Sequence, residues 1–358
     1  MYSFSVAAGQ RISFDIDRPS GALAAYLRVF DGSGNELAHN AGGTGPGELP
    51  GTEAYLEYMF LSTGTFYVGV LGLGNNSYNP STGSSDENGS AGAYTLVVSP
   101  GIAGTARVNG VATDYLVDIV RINQKAIDPS QRTWIVIHGR NSSRTTENIA
   151  DVAASIAETR SNDQVLTLDW SGAASYFGWA GFGGEDAIQN VGTWAAAALQ
   201  DKGFVGTNLN LVGHSWGSYV ADELAERIPG GVDTITALDA AENVPGGYSP
   251  ETPGEIDFSR DSLFSWAFHS DGIAGSNVTP PTSDEAFIVT NSNHGNVVFL
   301  LAYMLLHPTD VVGQYFLLNY LLLAQQGPWA LPAHFYAVTR RRRKTVAVIS
   351  KQFACFKF

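Results

Sequence analysis

At 358 residues, 44% of them hydrophobic and 15% charged, with 40 glycines and 15 prolines, the chain is longer than one core sustains, which points to two domains and excludes collagen-like, coiled-coil and disordered classes. The net charge of −14 understates the acidity of the body, because residues 1–339 hold 13 basic against 34 acidic side chains, a net of −21, and this argues against nucleic acid as a partner. The single cysteine, Cys355, excludes an intrachain disulfide.

Residues 1–100 are written with strand-like period two in short pieces: Tyr2, Phe4 and Val6; Ile12, Phe14 and Ile16; Leu27 and Val29; Phe66, Val68 and Val70; and Tyr94 to Val98. Turn clusters such as Asp31-Gly-Ser-Gly-Asn35 separate them. The expected fold is an antiparallel all-β sandwich without helices. With His39 as its lone histidine and no lysine, this region is not expected to be catalytic. Asp15, Asp17, Asp31 and Glu36 are candidate calcium ligands, but their spacing matches no ligand loop, and solvated turn acids are the plainer reading. Met1 to Phe14 lacks the basic start and apolar run of an export signal.

Tyr2-Ser-Phe-Ser-Val-Ala-Ala-Gly-Gln10, Tyr26-Leu-Arg-Val-Phe-Asp31, Gly34-Asn-Glu-Leu-Ala38, Gly64-Thr-Phe-Tyr-Val-Gly-Val70 and Ala93-Tyr-Thr-Leu96 together resemble the bacterial pre-peptidase C-terminal domain. The resemblance implies a β-sandwich appended to a secreted bacterial hydrolase, hence an extracellular or cell-surface setting. That family opens with an Asp-rich strand before its Tyr-x-Phe, so an N-terminus truncated relative to the family is expected. Residues 101–112, rich in Gly and Ala, are the expected linker.

From Thr133 the writing changes to strands alternating with helices, the pattern of a mostly parallel sheet covered on both faces, so residues 113–325 are expected to form an α/β domain. Strands are expected at Trp134 to Ile137, Val165 to Leu168, Leu209 to Val212, Ile235 to Leu238 and Phe264 to Phe268. One helix is marked by Ile149, Val152, Ala153, Ile156 and Ala157, another by Ile188, Val191, Trp194, Ala195, Ala198 and Leu199 with Gly203 as its stop. The apolar runs Val297 to Leu306 and Tyr315 to Ala324 are each about half a bilayer-spanning helix, and no integral membrane segment is expected.

Gly213-His-Ser-Trp-Gly217 follows an apolar strand and precedes the helical pattern Tyr219, Val220, Leu224 and Ile228. A sharp strand-to-helix turn needs small residues on either side of a strained serine, which makes Ser215 the candidate nucleophile. A serine hydroxyl needs a base, and the base an acid to orient it. The histidines after Ser215 are His269, His294, His307 and His334. His294, in a polar loop before an apolar helix, is the candidate base; His269 ends a strand and reads as structural, and His307 reads as a helix cap. The acid is Asp239, which ends the strand after the nucleophile's helix, or Asp271, which ends the next one. For the oxyanion, the N–H groups of Trp216 and of Arg140, in His138-Gly139-Arg140, are the expected donors.

Ile135-Val-Ile-His-Gly139, Leu168-Asp-Trp170, Val212-Gly-His-Ser-Trp-Gly217, Leu238-Asp-Ala-Ala-Glu242, Phe268-His-Ser-Asp-Gly272 and Ser292-Asn-His294 together resemble the pancreatic-type lipase family, which includes phospholipases A1. The resemblance covers roughly residues 130–308 and implies an α/β-hydrolase fold, carboxylic-ester hydrolysis, Asp239 as acid and His294 as base. The chain departs from the family in placing Trp216 and Ser218 where Leu and Ala are favoured, and Ala240 where proline is usual. It also lacks the cysteines of the family's lid, and only 55 residues separate Asp239 from His294. Tyr176, Phe177, Trp179 and Phe182 either line an acyl pocket or pack under the sheet edge.

The expected function is therefore that of a serine carboxylic-ester hydrolase on small-molecule or lipid esters, with no cofactor or metal. The rival is a hydrolase-fold protein without activity that serves in binding at a surface. Residues 326–358, with the run Arg340 to Lys344, fit no part of the lipase-like pattern and stay unassigned. Oligomeric state is not written in the sequence.

Overall fold

A computed structural model of the chain describes residues 1–17, 23–41, 53–107, 114–122, 127–175, 185–240, 256–270, 282–289, 292–307, 336–337 and 345–349. The fold divides into two compact units, Met1–Thr105 with Leu116–Asp128, and Ala106–Tyr115 with Pro129–Phe358.

The first unit is built from β1 (Tyr2–Val6), β2 (Arg11–Asp17), β3 (Ala25–Phe30), β4 (Glu36–Ala41), β5 (Tyr55–Met59), β6 (Gly64–Gly72), β7 (Thr95–Pro100), β8 (Ile102–Ala106) and β9 (Tyr115–Arg121). Two antiparallel sheets, in the orders β1-β6-β3-β4 and β5-β2-β7, face each other. Their inward side chains, among them Phe14, Ile16, Leu27, Val29, Phe60 and Val68, form one core. Phe4 of β1 reaches Phe14 of β2 with ring centroids 5.2 Å apart, and Phe60 meets Phe66 at 4.5 Å, so aromatic edges and faces stitch one sheet to the other. The expected sandwich is what the period-two writing produces.

The four acids weighed as calcium ligands have other partners or positions. Asp31 is committed to its own turn, accepting from the N–H groups of Ser33 and Asn35 at 2.8 Å each, and Glu36 pairs with Arg28 and His39. Asp15 and Asp17 lie on β2. The stretch expected as linker holds β8. A Cβ on Gly101 would stand 2.6 Å from Val120 Cγ1 and 3.0 Å from the Ile119 carbonyl oxygen, so the glycine there permits close backbone approach to β9.

The second unit runs β10 (Thr133–Ile137), α1 (Glu147–Thr159), β11 (Gln164–Asp169), α2 (Ser171–Ala174), α3 (Glu185–Asp201), β12 (Leu209–His214), α4 (Trp216–Glu226), β13 (Val232–Leu238), β14 (Ser262–Ser270), β15 (Glu285–Val289), α5 (Asn296–Leu306), β16 (Tyr336–Ala337) and β17 (Thr345–Ile349). Seven strands pair in parallel in the order β17-β15-β14-β13-β12-β10-β11. β17 lies in the stretch left unassigned by the sequence, and β16 pairs with it antiparallel.

From β10 the chain moves outward to β11, then returns past β10 to lay down β12 and β13. Because such crossovers are right-handed, the reversal puts α1 on one face and α3 and α4 on the other. Accordingly α3 packs on α4, and α1 on α5. The carboxyl ends of β10 and β12 diverge at this reversal, where open α/β sheets bind their ligands. Among the described residues no helix is long and apolar enough to cross a membrane.

Candidate active site

The nucleophile candidate occupies the turn between β12 and α4. Ser215 has φ 54° and ψ −124°, a conformation that costs a side-chain-bearing residue about 1–3 kcal/mol. Its N–H donates to the Leu238 carbonyl at 2.9 Å, which ties the turn to the end of β13. The flanking glycines are steric necessities: a Cβ on Gly213 would lie 2.5 Å from Ser218 Cα, and one on Gly217 2.6 Å from the His138 carbonyl oxygen. Ser218, in place of the family's alanine, donates its hydroxyl to the Gly213 carbonyl at 2.9 Å, so the extra polar atom is satisfied. Trp216 is buried beside Trp170, with ring centroids 6.5 Å apart.

Asp239 directly follows β13, with φ 49°, and is fully buried. Its own N–H donates to the Phe268 carbonyl at 2.7 Å. Its carboxylate receives three hydrogen bonds: Ser270 N–H to Oδ1 at 2.9 Å, Ser270 Oγ to Oδ2 at 2.6 Å, and His294 Nδ1 to Oδ2 at 3.0 Å. Burial pushes this carboxyl up, but the bonds from His294 and Ser270 outweigh it, and the net direction is down. His294, with 31% of its side chain exposed, sits in the loop before α5. Asn293 Oδ1 accepts from the N–H groups of Gly295 and Asn296 at 3.1 and 2.9 Å and so holds the turn that leads into that helix. No hydrogen bond joins Ser215 Oγ to His294 among the described residues; such bonds are commonly long in unliganded sites and tighten with substrate.

His214, the residue before Ser215, fastens this loop from the other side. Its Nε2 lies 3.0 Å from the His294 carbonyl oxygen, and the two rings are 4.7 Å apart. Burial, with the charge of His294 nearby, pushes the His214 imidazole down to about 4, so it is neutral and Nε2–H is the donor.

Beyond β10, the loop Gly139-Arg140 runs against the turn, where a Cβ on Gly139 would stand 2.7 Å from Ser215 Cβ. His138 fixes it: the Trp170 N–H donates to His138 Nε2 at 3.0 Å and the indole Nε1–H to the His138 carbonyl at 2.8 Å. His138 Nδ1 lies 2.9 Å from the Gly139 carbonyl oxygen, and its Nε2 also lies 3.3 Å from Asp169 Oδ1. Arg140 places its guanidinium 4.9 Å from the centre of the Trp216 ring. The Trp216 N–H opens α4, where backbone donors and helix dipole point outward.

Of the other candidates, His307 caps α5: its Nδ1 is 3.0 Å from the Tyr303 carbonyl oxygen. His269 is buried on β14, and burial pushes its imidazole down to about 4. Asp271, His334, the aromatic loop of Tyr176, Phe177, Trp179 and Phe182, the run Tyr315 to Ala324, the run Arg340 to Lys344 and Cys355 lie outside the described residues. Sequence reasoning passed over Ser270, His214 and Asn293. Alternation along β14, which puts Phe268 and Ser270 on one side, was the available signal for the first.

The family model of the bacterial pre-peptidase C-terminal domain matches residues 1–72, and the lipase family model matches residues 114–276, ending before His294. Pancreatic triacylglycerol lipase of Mus musculus is 28% identical over 164 residues, which span 43% of this chain and 32% of that protein. Pancreatic lipase-related protein 2 of Cavia porcellus is 27% identical over 164 residues, 43% of this chain and 35% of that protein. The chain thus spans about a third of the length of the curated relatives it matches. Est1E from Butyrivibrio proteoclasticus aligns with a TM-score of 0.38 at 14% identity, covering 61% of this chain and 98% of that one. The sequence is thus similar to two families over separate stretches, the bacterial pre-peptidase C-terminal domain over residues 1–72 and the lipase family over residues 114–276.

Proposed function

We propose that the chain is a serine carboxylic-ester hydrolase that works through an acyl-enzyme on Ser215. The observation that carries the reading is a serine held at positive φ between two obligatory glycines, beside a buried Asp239 that lies 3.0 Å from the half-buried His294. His294 Nδ1 is committed to Asp239, so Nε2 is the nitrogen that takes the Ser215 proton. Ser215 Oγ then attacks the ester carbonyl, and the oxyanion is met by the N–H groups of Trp216 and Arg140. Collapse breaks the ester C–O bond, and His294 returns the proton to the departing alcohol. A water, deprotonated by His294, attacks the acyl-enzyme, releases the carboxylic acid and restores Ser215. Asp239 holds the ring and stabilises its protonated form. None of these steps calls on a cofactor.

Lipid esters are the proposed substrate class, supported by the lipase-family match. The N-terminal module supports an extracellular or cell-surface bacterial setting. The test is p-nitrophenol release from a series of acyl esters. Hydrolysis that rises from short to long chains supports a lipid substrate, a short-chain optimum supports a small-molecule esterase, and no hydrolysis of any ester overturns the reading.

A further inference from the structure

Asp239 depends on one residue outside the expected triad for most of its hold. Ser270 closes β14 two residues past Phe268, whose carbonyl accepts the Asp239 N–H. From that position it donates to both carboxylate oxygens, through its N–H at 2.9 Å and its hydroxyl at 2.6 Å. Both residues are sealed from water, Asp239 at 0% and Ser270 at 1% exposure, so solvent cannot replace a lost donor. The hydroxyl bond ends on Oδ2, the same atom that faces His294 Nδ1.

We propose that Ser270 is the positioning residue of the acid: it fixes the plane of the Asp239 carboxylate and, by sharing Oδ2, limits how strongly Asp239 draws the proton of His294. This rests on reading Asp239 and His294 as acid and base. A charge-assisted hydrogen bond to a buried carboxylate spreads its negative charge. Without the hydroxyl that charge falls on His294 alone, and the imidazole becomes more basic. Among the described residues, His214 and His269 also face Asp239, both held neutral by burial, so neither competes for the same oxygen near neutral pH.

The test is a titration of the His294 ring by NMR of its Cε1 in the full chain, assigned with His294→Gln. Ser270→Ala raises the His294 pKa by about half a unit or more, and Ser270→Thr, which restores the hydroxyl, returns it toward wild type. In kinetics Ser270→Ala lowers kcat about tenfold with little change in KM, and moves the acid limb of the pH profile upward. Ser270→Cys, near in size but a weak donor, takes the place of the alanine variant if that one does not fold. A folded Ala or Cys variant whose His294 titration stays within about 0.2 unit of wild type overturns the proposal. The titration needs no turnover, so a wild type inert toward esters would sink the hydrolase reading while the role of Ser270 is still decided.

Discussion

In the sandwich unit the fully buried side chains include Phe14, Phe30, Phe60, Ile16 and Leu27, and its buried Asp118 and Arg28 are paired with Arg11 and Glu36, whereas at the carboxyl edge of the parallel sheet His138, His214, Asp239, His269 and Ser270 are buried close to one another. Backbone strain divides in the same way. Of the four non-glycine residues with positive φ among the described residues, Ser85 lies in an exposed polar turn of the first unit, while Asn141, Ser215 and Asp239 fall in the second. Buried polar groups and strained backbone both cost stability, and folds concentrate them where chemistry requires them. The first unit pairs buried charges such as Arg28 and Asp118 around an apolar core. The second gathers buried polar side chains and strained backbone along one sheet edge, where the proposed triad lies.

That contrast breaks most visibly at the proposed nucleophile, where Ser215→Ala should lower kcat for ester hydrolysis by about 10⁵-fold or more with an unchanged thermal transition, as steady-state rates and calorimetry would establish. Asp239→Asn keeps the shape of the carboxylate but favours the wrong His294 tautomer, and a loss of about 10⁴-fold in kcat is expected. In the sandwich the largest effect is on stability instead. Phe14→Ala should cost about 3–5 kcal/mol in urea unfolding of the first unit and leave kcat within about twofold of wild type.

The smallest expected effect concerns pH. His269, held at about 4 against an ordinary 6.5, binds its proton more weakly folded than unfolded, so the stability it contributes is present above 6.5 and is lost as pH falls through 6.5 toward 4. Glu285, pushed by burial and by Asp284 up to about 7, works in the opposite sense, losing its contribution as pH rises from 4.5 to 7. Urea unfolding at pH 4.5 and pH 7 should thus show a fall in stability for His269→Gln that is smaller than the wild-type fall by about 2 kcal/mol. Equal falls in the two proteins would mean that His269 does not carry this pH dependence.

How much of this could be read from the residues follows from the range of the interactions. The turn around Ser215 was legible because its requirements are local: an apolar β12, two glycines and a helical pattern lie within about twenty residues. Asp239 was legible as the end of a strand. The hydrogen bond from His214 to the His294 carbonyl spans 80 residues, and nothing near His214 announces it. Ser270 stood beside Asp271, whose carboxyl drew the attention, and its reach to Asp239 depends on the positive φ of Asp239, which no pattern encodes. β15 opens with Glu285 and covers only five residues, so its apolar run was too short to stand out. The small residues around Gly101 were read as linker because close backbone approach and flexibility use the same amino acids.

The central claim, a covalent intermediate on Ser215, is tested most directly by treating the protein with a p-nitrophenyl alkylphosphonate and recording the intact mass with the released p-nitrophenolate. Ser215 Oγ should displace one p-nitrophenolate per chain and retain the phosphonyl group, with the adduct mapping to the peptide that contains Gly213 to Gly217 and absent from Ser215→Ala. An adduct that persists in Ser215→Ala, or release of p-nitrophenolate with no gain in mass, would contradict the account.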